Sequence, residues 1–173
     1  MLRSFAGLVL ASVVLSAPAL AQGRETEFGA DIAFKWIKPS GGTGMLHVQT
    51  PVDFRVAFHT GAIAIEPRIT GEFVTASGDN LYIIDPGVNL LFALGGGART
   101  NGSYATVGAD LMVAGGTGMD SESAVSLNAG FGMRRPMGKA ATRAEIFVGY
   151  TPKQSNAVQT TTIGLRLGVS FFN

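Results

Sequence analysis

The chain has 173 residues, with 13 lysines and arginines against 12 aspartates and glutamates, and it contains no cysteine. Charged residues make up 14% of it, against roughly 25% in an average soluble domain, and its 24 glycines are about twice the usual share. This composition excludes a disulfide-stabilised scaffold, a cysteine-based metal site, a cysteine-linked lipid anchor and the strongly basic surface that binds nucleic acid.

The first 21 residues are organised like a secretory signal peptide. Arg3 supplies the positive charge, Ala6 to Leu20 form a short apolar stretch, and Ala19-Leu20-Ala21 matches the A-x-A cleavage pattern. A membrane-anchor helix is the alternative, but the stretch is short for a span and contains Pro18. We therefore predict cleavage after Ala21 and an exported domain over 22–173.

Eight segments in which apolar residues alternate with other residues follow, separated by stretches rich in turn-forming residues. Their approximate bounds are 28–37, 45–58, 62–73, 81–94, 103–114, 123–134, 141–151 and 160–172. Alternation with period two is typical of β-strands, and we find no helix-period segment in the exported domain. No run of about 18 apolar residues is present, so a closed barrel is the remaining way to cross a membrane. We predict an all-β fold: an eight-stranded antiparallel up-and-down transmembrane β-barrel.

One parity of every predicted strand is apolar and carries no charge. It also holds nine aromatic residues, which fall near the two ends of the strands, as expected for the girdles that sit at lipid headgroups. These residues are Phe28, Phe58, Phe92, Phe131 and Phe171 at the periplasmic end, and Trp36, Phe73, Tyr82 and Tyr150 at the outer end. We predict that this face contacts lipid.

The other parity collects seven acidic and six basic residues together with many glycines. The charged residues are Asp31, Lys35, Asp53, Arg55, Glu66, Arg68, Glu72, Asp85, Asp110, Arg134, Arg143, Glu145 and Arg166. An eight-stranded barrel is just wide enough for side chains to fill its interior, and buried charges there must be paired. Glycines leave room for arginine side chains. The pattern therefore favours a charge-filled interior with no open pore over a soluble periplasmic lipocalin-like barrel, which stays open as an alternative.

The last predicted strand, "TTIGLRLGVSFFN", resembles the C-terminal strand of bacterial outer-membrane β-barrels. Thr162, Gly164, Leu167 and Val169 match the assembly signal of that class in order, although Asn173 follows the terminal aromatic residue. The exported domain as a whole resembles the small eight-stranded OmpA-type barrels. This resemblance implies a bacterial outer-membrane location, contact with membrane lipid and lipopolysaccharide, assembly through the C-terminal strand by the barrel-assembly machinery, and a monomeric state.

Residues that could carry chemistry are few. His47 lies on the inner parity near the outer rim, and His59 is expected in a periplasmic turn, His59-Thr60-Gly61. A lipid-modifying outer-membrane enzyme using His47 is an alternative, but no spacing selects a nucleophile for it. We predict no catalytic, metal or cofactor site, and a structural, membrane-integrity or surface-interaction role.

Three prolines fit the pattern poorly. Pro51, Pro67 and Pro86 lie within successive predicted strands, and proline has no N–H to donate to a strand ladder. We expect bulges or gaps in the pairing at these positions.

Overall fold

The computed structural model describes residues 25–76, 79–94, 101–155 and 157–173. The predicted signal peptide lies outside these residues. Within the described part, no helix has the length and apolar character needed to cross a membrane.

The fold is a closed barrel of eight antiparallel strands in sequential order, as predicted. The strands are β1 (Thr26–Pro39), β2 (Met45–Thr60), β3 (Ile63–Ala76), β4 (Asp79–Leu94), β5 (Gly102–Gly116), β6 (Met119–Met137), β7 (Ala140–Thr151) and β8 (Thr160–Phe172). β1 pairs with β8 and closes the barrel. We call the end that holds Thr26 and Phe172 the terminal end, and the opposite end the loop end.

Several strands extend into segments that the sequence had assigned to turns. The connection between β5 and β6 is only residues 117–118, where a loop over 115–122 was expected, and Gly118 there has a φ of 71°. The prediction that His59 lies in a turn was wrong. His59 belongs to β2 and pairs with Ala64, and the chain reverses at Gly61, whose φ of 62° suits a residue without a Cβ.

The three prolines coincide with interruptions of the ladder, as expected. Around Pro51, β2 runs three residues opposite the single Ile32 of β1, since Asp31 pairs with Asp53 and Ala33 with Gln49. At Pro67, the β2–β3 pairing skips from Arg55 opposite Arg68 to Phe58 opposite Ile65.

The third interruption follows the same rule. The β4–β5 pairing skips Pro86, passing from Ile84 opposite Val113 to Gly87 opposite Asp110. Each proline therefore lies where the ladder with one neighbouring strand is interrupted, while Pro67 and Pro86 stay paired with Val88 and Ile69 in the β3–β4 ladder.

The barrel is inverted relative to a soluble domain. Its buried side chains are mainly polar and charged, whereas its large apolar side chains are exposed, including Leu46, Phe54, Phe73 and Ile146. A soluble protein rarely presents a continuous apolar surface of this kind. The distribution is that of a barrel whose outer face contacts lipid.

Candidate functional site

The predicted interior charges occupy inward positions of the barrel wall. Ten are buried, namely Asp31, Asp53, Arg55, Glu66, Arg68, Asp110, Arg134, Arg143, Glu145 and Arg166. The remaining three, Lys35, Glu72 and Asp85, are half-buried and lie nearer the loop end. The interior is therefore a polar core built from charged side chains.

Glu27 is the centre of this core at the terminal end, and the sequence prediction missed it. Its carboxylate is 0% exposed. Arg134 donates to it from Nη2 at 2.8 Å and from Nε at 3.3 Å, and the Ser170 hydroxyl donates at 2.7 Å. Arg55 also donates to Glu27, and His59 Nε2 lies 2.9 Å from its second oxygen. Four side chains from three further strands thus converge on one carboxylate.

Arg143 connects opposite walls of the barrel. From β7 it donates to Glu66 of β3 at 2.6 Å, to Glu145 of its own strand at 2.6 Å, and to the Tyr104 hydroxyl of β5 at 2.5 Å. β3 and β7 lie four strands apart in the eight-stranded ring, so the ion pair spans the lumen. The guanidinium of Arg134 also contacts Tyr104, at 4.5 Å from the centre of the ring, in a cation–π interaction.

Glycines on the inner face provide the room for these side chains. Gly29 pairs with Arg55 and Gly132 pairs with Tyr104 across the strand ladder. A Cβ at either glycine would collide with the arginine or tyrosine side chain that lies flat against it. Gly168 is related in the same way to Asp31. The glycines thus accommodate aromatic rings and carboxylates as well as the arginines that were expected.

The core is less completely bonded towards the loop end. Arg68 forms an ion pair with Asp53 at 2.6 Å, and its Nε lies 3.8 Å from Asp110. Several buried oxygens in this half have no hydrogen-bond partner among the described residues. They are Asp53 Oδ1, Thr70 Oγ1, Asp85 Oδ1, Asp110 Oδ1 and Asn128 Oδ1, whereas nearer the terminal end the corresponding oxygens are Asn89 Oδ1 and Thr106 Oγ1.

Two histidines contact carboxylates of the core. Among the described residues, the buried or half-buried charges comprise eight carboxylates against six lysines and arginines once Glu27 is included. His59 contacts Glu27, and His47 Nε2 lies 3.1 Å from Glu72 Oε2 near the loop end. The contact with Glu27 shows that His59 is part of the core, where sequence reasoning saw only a turn residue.

The predicted aromatic girdles lie on the outer face, with two departures. Seven of the nine aromatic side chains are exposed, namely Phe28, Trp36, Phe73, Phe92, Phe131, Tyr150 and Phe171. Tyr82 is half-buried, and its hydroxyl lies 3.0 Å from Ser121 Oγ. Phe58 was predicted to be lipid-exposed, and this is wrong: its ring is 8% exposed, although it lies on the outward parity of β2. Alternation gives the face of a residue but not the extent to which its neighbours cover it.

The described residues contain no group of three or more histidine, aspartate or glutamate side chains arranged to hold a metal ion. The ion pairs of Glu27, Arg143 and Arg68 engage most charged side chains of the core with one another. The arrangement is suited to filling and rigidifying the barrel.

An apolar outer face around a charged interior, closed by eight strands, defines the class of fold: that of the small outer-membrane β-barrels. No family model matches the sequence, and no curated protein matches it either. Solved structures do match. Neisserial surface protein A superposes with a TM-score of 0.61 over 84% of this chain and 96% of that chain, at 14% identity.

A second similar structure is Ail, the attachment invasion locus protein of Yersinia pestis. Its TM-score is 0.54, over 87% of this chain and 99% of that chain, again at 14% identity. Likeness at this level of identity establishes a shared fold. The function must be argued from this chain's own residues.

Proposed function

We propose that the protein is an integral protein of the bacterial outer membrane with a structural or surface-interaction role, exported by the predicted signal peptide. The observation that carries the proposal is the inverted distribution of side chains. Glu27, Glu66 and Arg134 are buried inside, while Phe54, Phe73 and Ile146 are exposed outside. A charge on the lipid side of such a barrel costs roughly 2–4 kcal/mol at the midplane. This cost accounts for the absence of charged side chains from the middle of the outer face in the described strands.

The proposal includes a closed interior rather than a pore. The Arg143–Glu66 ion pair joins walls four strands apart, and Arg134 of β6 reaches Glu27 of β1. Because these ion pairs cross the lumen, we expect them to leave no continuous aqueous path for ions. The barrel acts as an anchor, and its contacts with other molecules are made by the outer face and the loop end.

Fractionation and conductance test this proposal together. We expect the full chain, expressed in a Gram-negative host, to be found in the outer-membrane fraction and to migrate faster on a gel before boiling than after it. Reconstituted in a planar bilayer, it should give no stable channels under conditions in which a large porin conducts. Recovery of a soluble periplasmic protein would contradict the membrane assignment, and steady single-channel steps would contradict the closed interior.

The proposed role does not include an enzymatic activity. His47 contacts Glu72, and among the described residues it has no serine or threonine hydroxyl within hydrogen-bond distance to act as a nucleophile. Replacing His47 with alanine should leave the lipid composition of the host membrane equal to that of cells with the unaltered protein. A lipid species that depends on His47 would instead establish the lipid-modifying alternative.

The remaining partners follow from the same proposal. The barrel would contact lipopolysaccharide in the outer leaflet and would be inserted by the barrel-assembly machinery through β8. With all strand edges paired within one chain, a monomer is sufficient to close the barrel.

A further inference from the structure

Two charged side chains share the outward parity of the described strands, and they lie at opposite rims. Lys38 is next to the last residue of β1 at the loop end, two positions beyond Trp36 on the same face. Arg135 is near the last residue of β6 at the terminal end. Both are exposed. Long cationic side chains at such positions keep their charge at the membrane–water interface while their stems cover apolar surface.

The two cations differ in what they contact. Arg135 donates from Nη1 to Asn101 Oδ1 at 3.2 Å. Lys38 has no hydrogen bond or ion pair with another side chain in the part of the chain that the structure describes. The ammonium donors of Lys38 are therefore available to a ligand.

The strand register places two hydroxyl groups beside Lys38. Lys38 pairs with Thr161 of β8, and Thr161 pairs with Tyr150 of β7. All three residues are exposed and lie on the outward parity of their strands. Directly paired residues have Cβ atoms about 5 Å apart, so the row spans about 10 Å along the rim.

On the side towards the middle of the barrel, this row is bordered by lipid-facing side chains. One step towards the middle of the barrel, the same register aligns Trp36 with Ile163 and Ile163 with Val148. A cation and two hydroxyls thus border an apolar surface, which is the arrangement needed by a ligand with a charged head and acyl chains.

Another part of the same rim, formed by β4 and β6, carries hydroxyl groups that are already bonded to each other. There the Tyr82 hydroxyl and Ser121 Oγ lie 3.0 Å apart and satisfy each other. Among the described residues, the hydroxyls of Thr161 and Tyr150 have no such partner. On the β7–β8–β1 side, by contrast, Lys38, Thr161 and Tyr150 have donors without a side-chain partner among the described residues.

We propose that Lys38, Thr161 and Tyr150 form a binding site for a phosphate group of lipopolysaccharide, held at the loop-end rim of the barrel. A phosphate accepts charge-assisted hydrogen bonds from ammonium and hydroxyl donors. The acyl chains of the same lipopolysaccharide molecule would lie over Trp36 and Ile163. This site rests on the proposed membrane function, because the loop end must face the outer leaflet.

Trp36 makes the site measurable, since it is the single tryptophan of the chain. The folded protein in neutral detergent micelles is titrated with diphosphoryl lipid A, and the fluorescence of Trp36 is followed. We expect a saturable change for the unaltered protein and an increase of about tenfold in the midpoint for Lys38→Gln, because one charge-assisted bond is lost. Tyr150→Phe and Thr161→Val should each give a smaller increase.

Lys139→Gln is the matched control, because Lys139 is exposed in the connection between β6 and β7 at the opposite end. Its midpoint should equal that of the unaltered protein. Equal midpoints for Lys38→Gln and the unaltered protein would overturn the site, as would an equal loss in Lys139→Gln. An equal response to phosphatidylglycerol would overturn the assignment to lipopolysaccharide. Failure of the proposed function appears separately, as a protein absent from the membrane fraction.

Discussion

The two halves of the barrel interior are built from the same kinds of side chain but are bonded to different extents. At the terminal end, Glu27 receives hydrogen bonds or ion pairs from Arg55, Arg134, His59 and Ser170. Towards the loop end, Asp85 Oδ1 and Asp110 Oδ1 are buried without a hydrogen-bond partner among the described residues. The same kinds of side chain therefore form a denser hydrogen-bond network around Glu27 than towards the loop end, and we expect this network to contribute more to stability.

The largest effect should follow from removing the centre of the terminal half. Glu27→Ala leaves two buried arginines and His59 without their shared carboxylate, so we expect a loss of about 3–5 kcal/mol in the free energy of unfolding. Urea titration in detergent micelles, read by the shift in gel mobility, measures it. Glu122→Ala, at an exposed position on β6, is the control and should change stability little. A small effect at Glu27 would remove the distinction between the two halves.

A smaller effect should follow from adding one methyl group where the terminal half is tightly packed. Gly132→Ala places a Cβ against the Tyr104 ring, and we expect a cost of about 1–3 kcal/mol. Gly149→Ala is the matched control nearer the loop end, where the nearest atom to the new Cβ is Thr162 Cβ at 3.5 Å, an ordinary contact. The same urea titration compares the two variants. Equal losses would show that the packing does not differ between these positions.

The smallest effect is expected at Asp85, a carboxylate of the loop half. Asp85→Asn keeps the shape of a half-buried side chain whose Oδ1 has no partner among the described residues. We expect the free energy of unfolding to change by less than about 1 kcal/mol. Glu27→Gln, which is equally close in shape, supplies the comparison at the terminal end and should cost clearly more. If Asp85→Asn costs as much, the loop half is as tightly organised as the terminal half.

The faces of the strands were predictable because a period of two places every second residue on the same side. That rule identified the inward charges and most of the girdle. The rule does not determine where a strand begins or ends. The alternation predicts that β1 begins at Phe28, one residue too late to include Glu27. His59 was assigned to a turn because Thr60 and Gly61 follow it, whereas β2 continues to Thr60.

The pairing of the interior charges was not predictable from the sequence. Arg143 and Glu66 are 77 residues apart and belong to strands that are not neighbours. Which inward side chains meet across the lumen depends on the stagger of the strands around the closed ring. Alternation within one strand carries no information about that stagger, and the bulge at Pro51 shifts it further.

The ion pairs across the lumen also constrain the order in which the chain can complete its core. Glu27 and Arg134 are separated by 107 residues, and Ser170 lies 143 residues from Glu27. A chain that ends before β6 already contains Arg55 and His59 of β2 but lacks Arg134 and Ser170. The first strand therefore acquires its full set of contacts only when β6 and β8 are in place and β8 closes the ring.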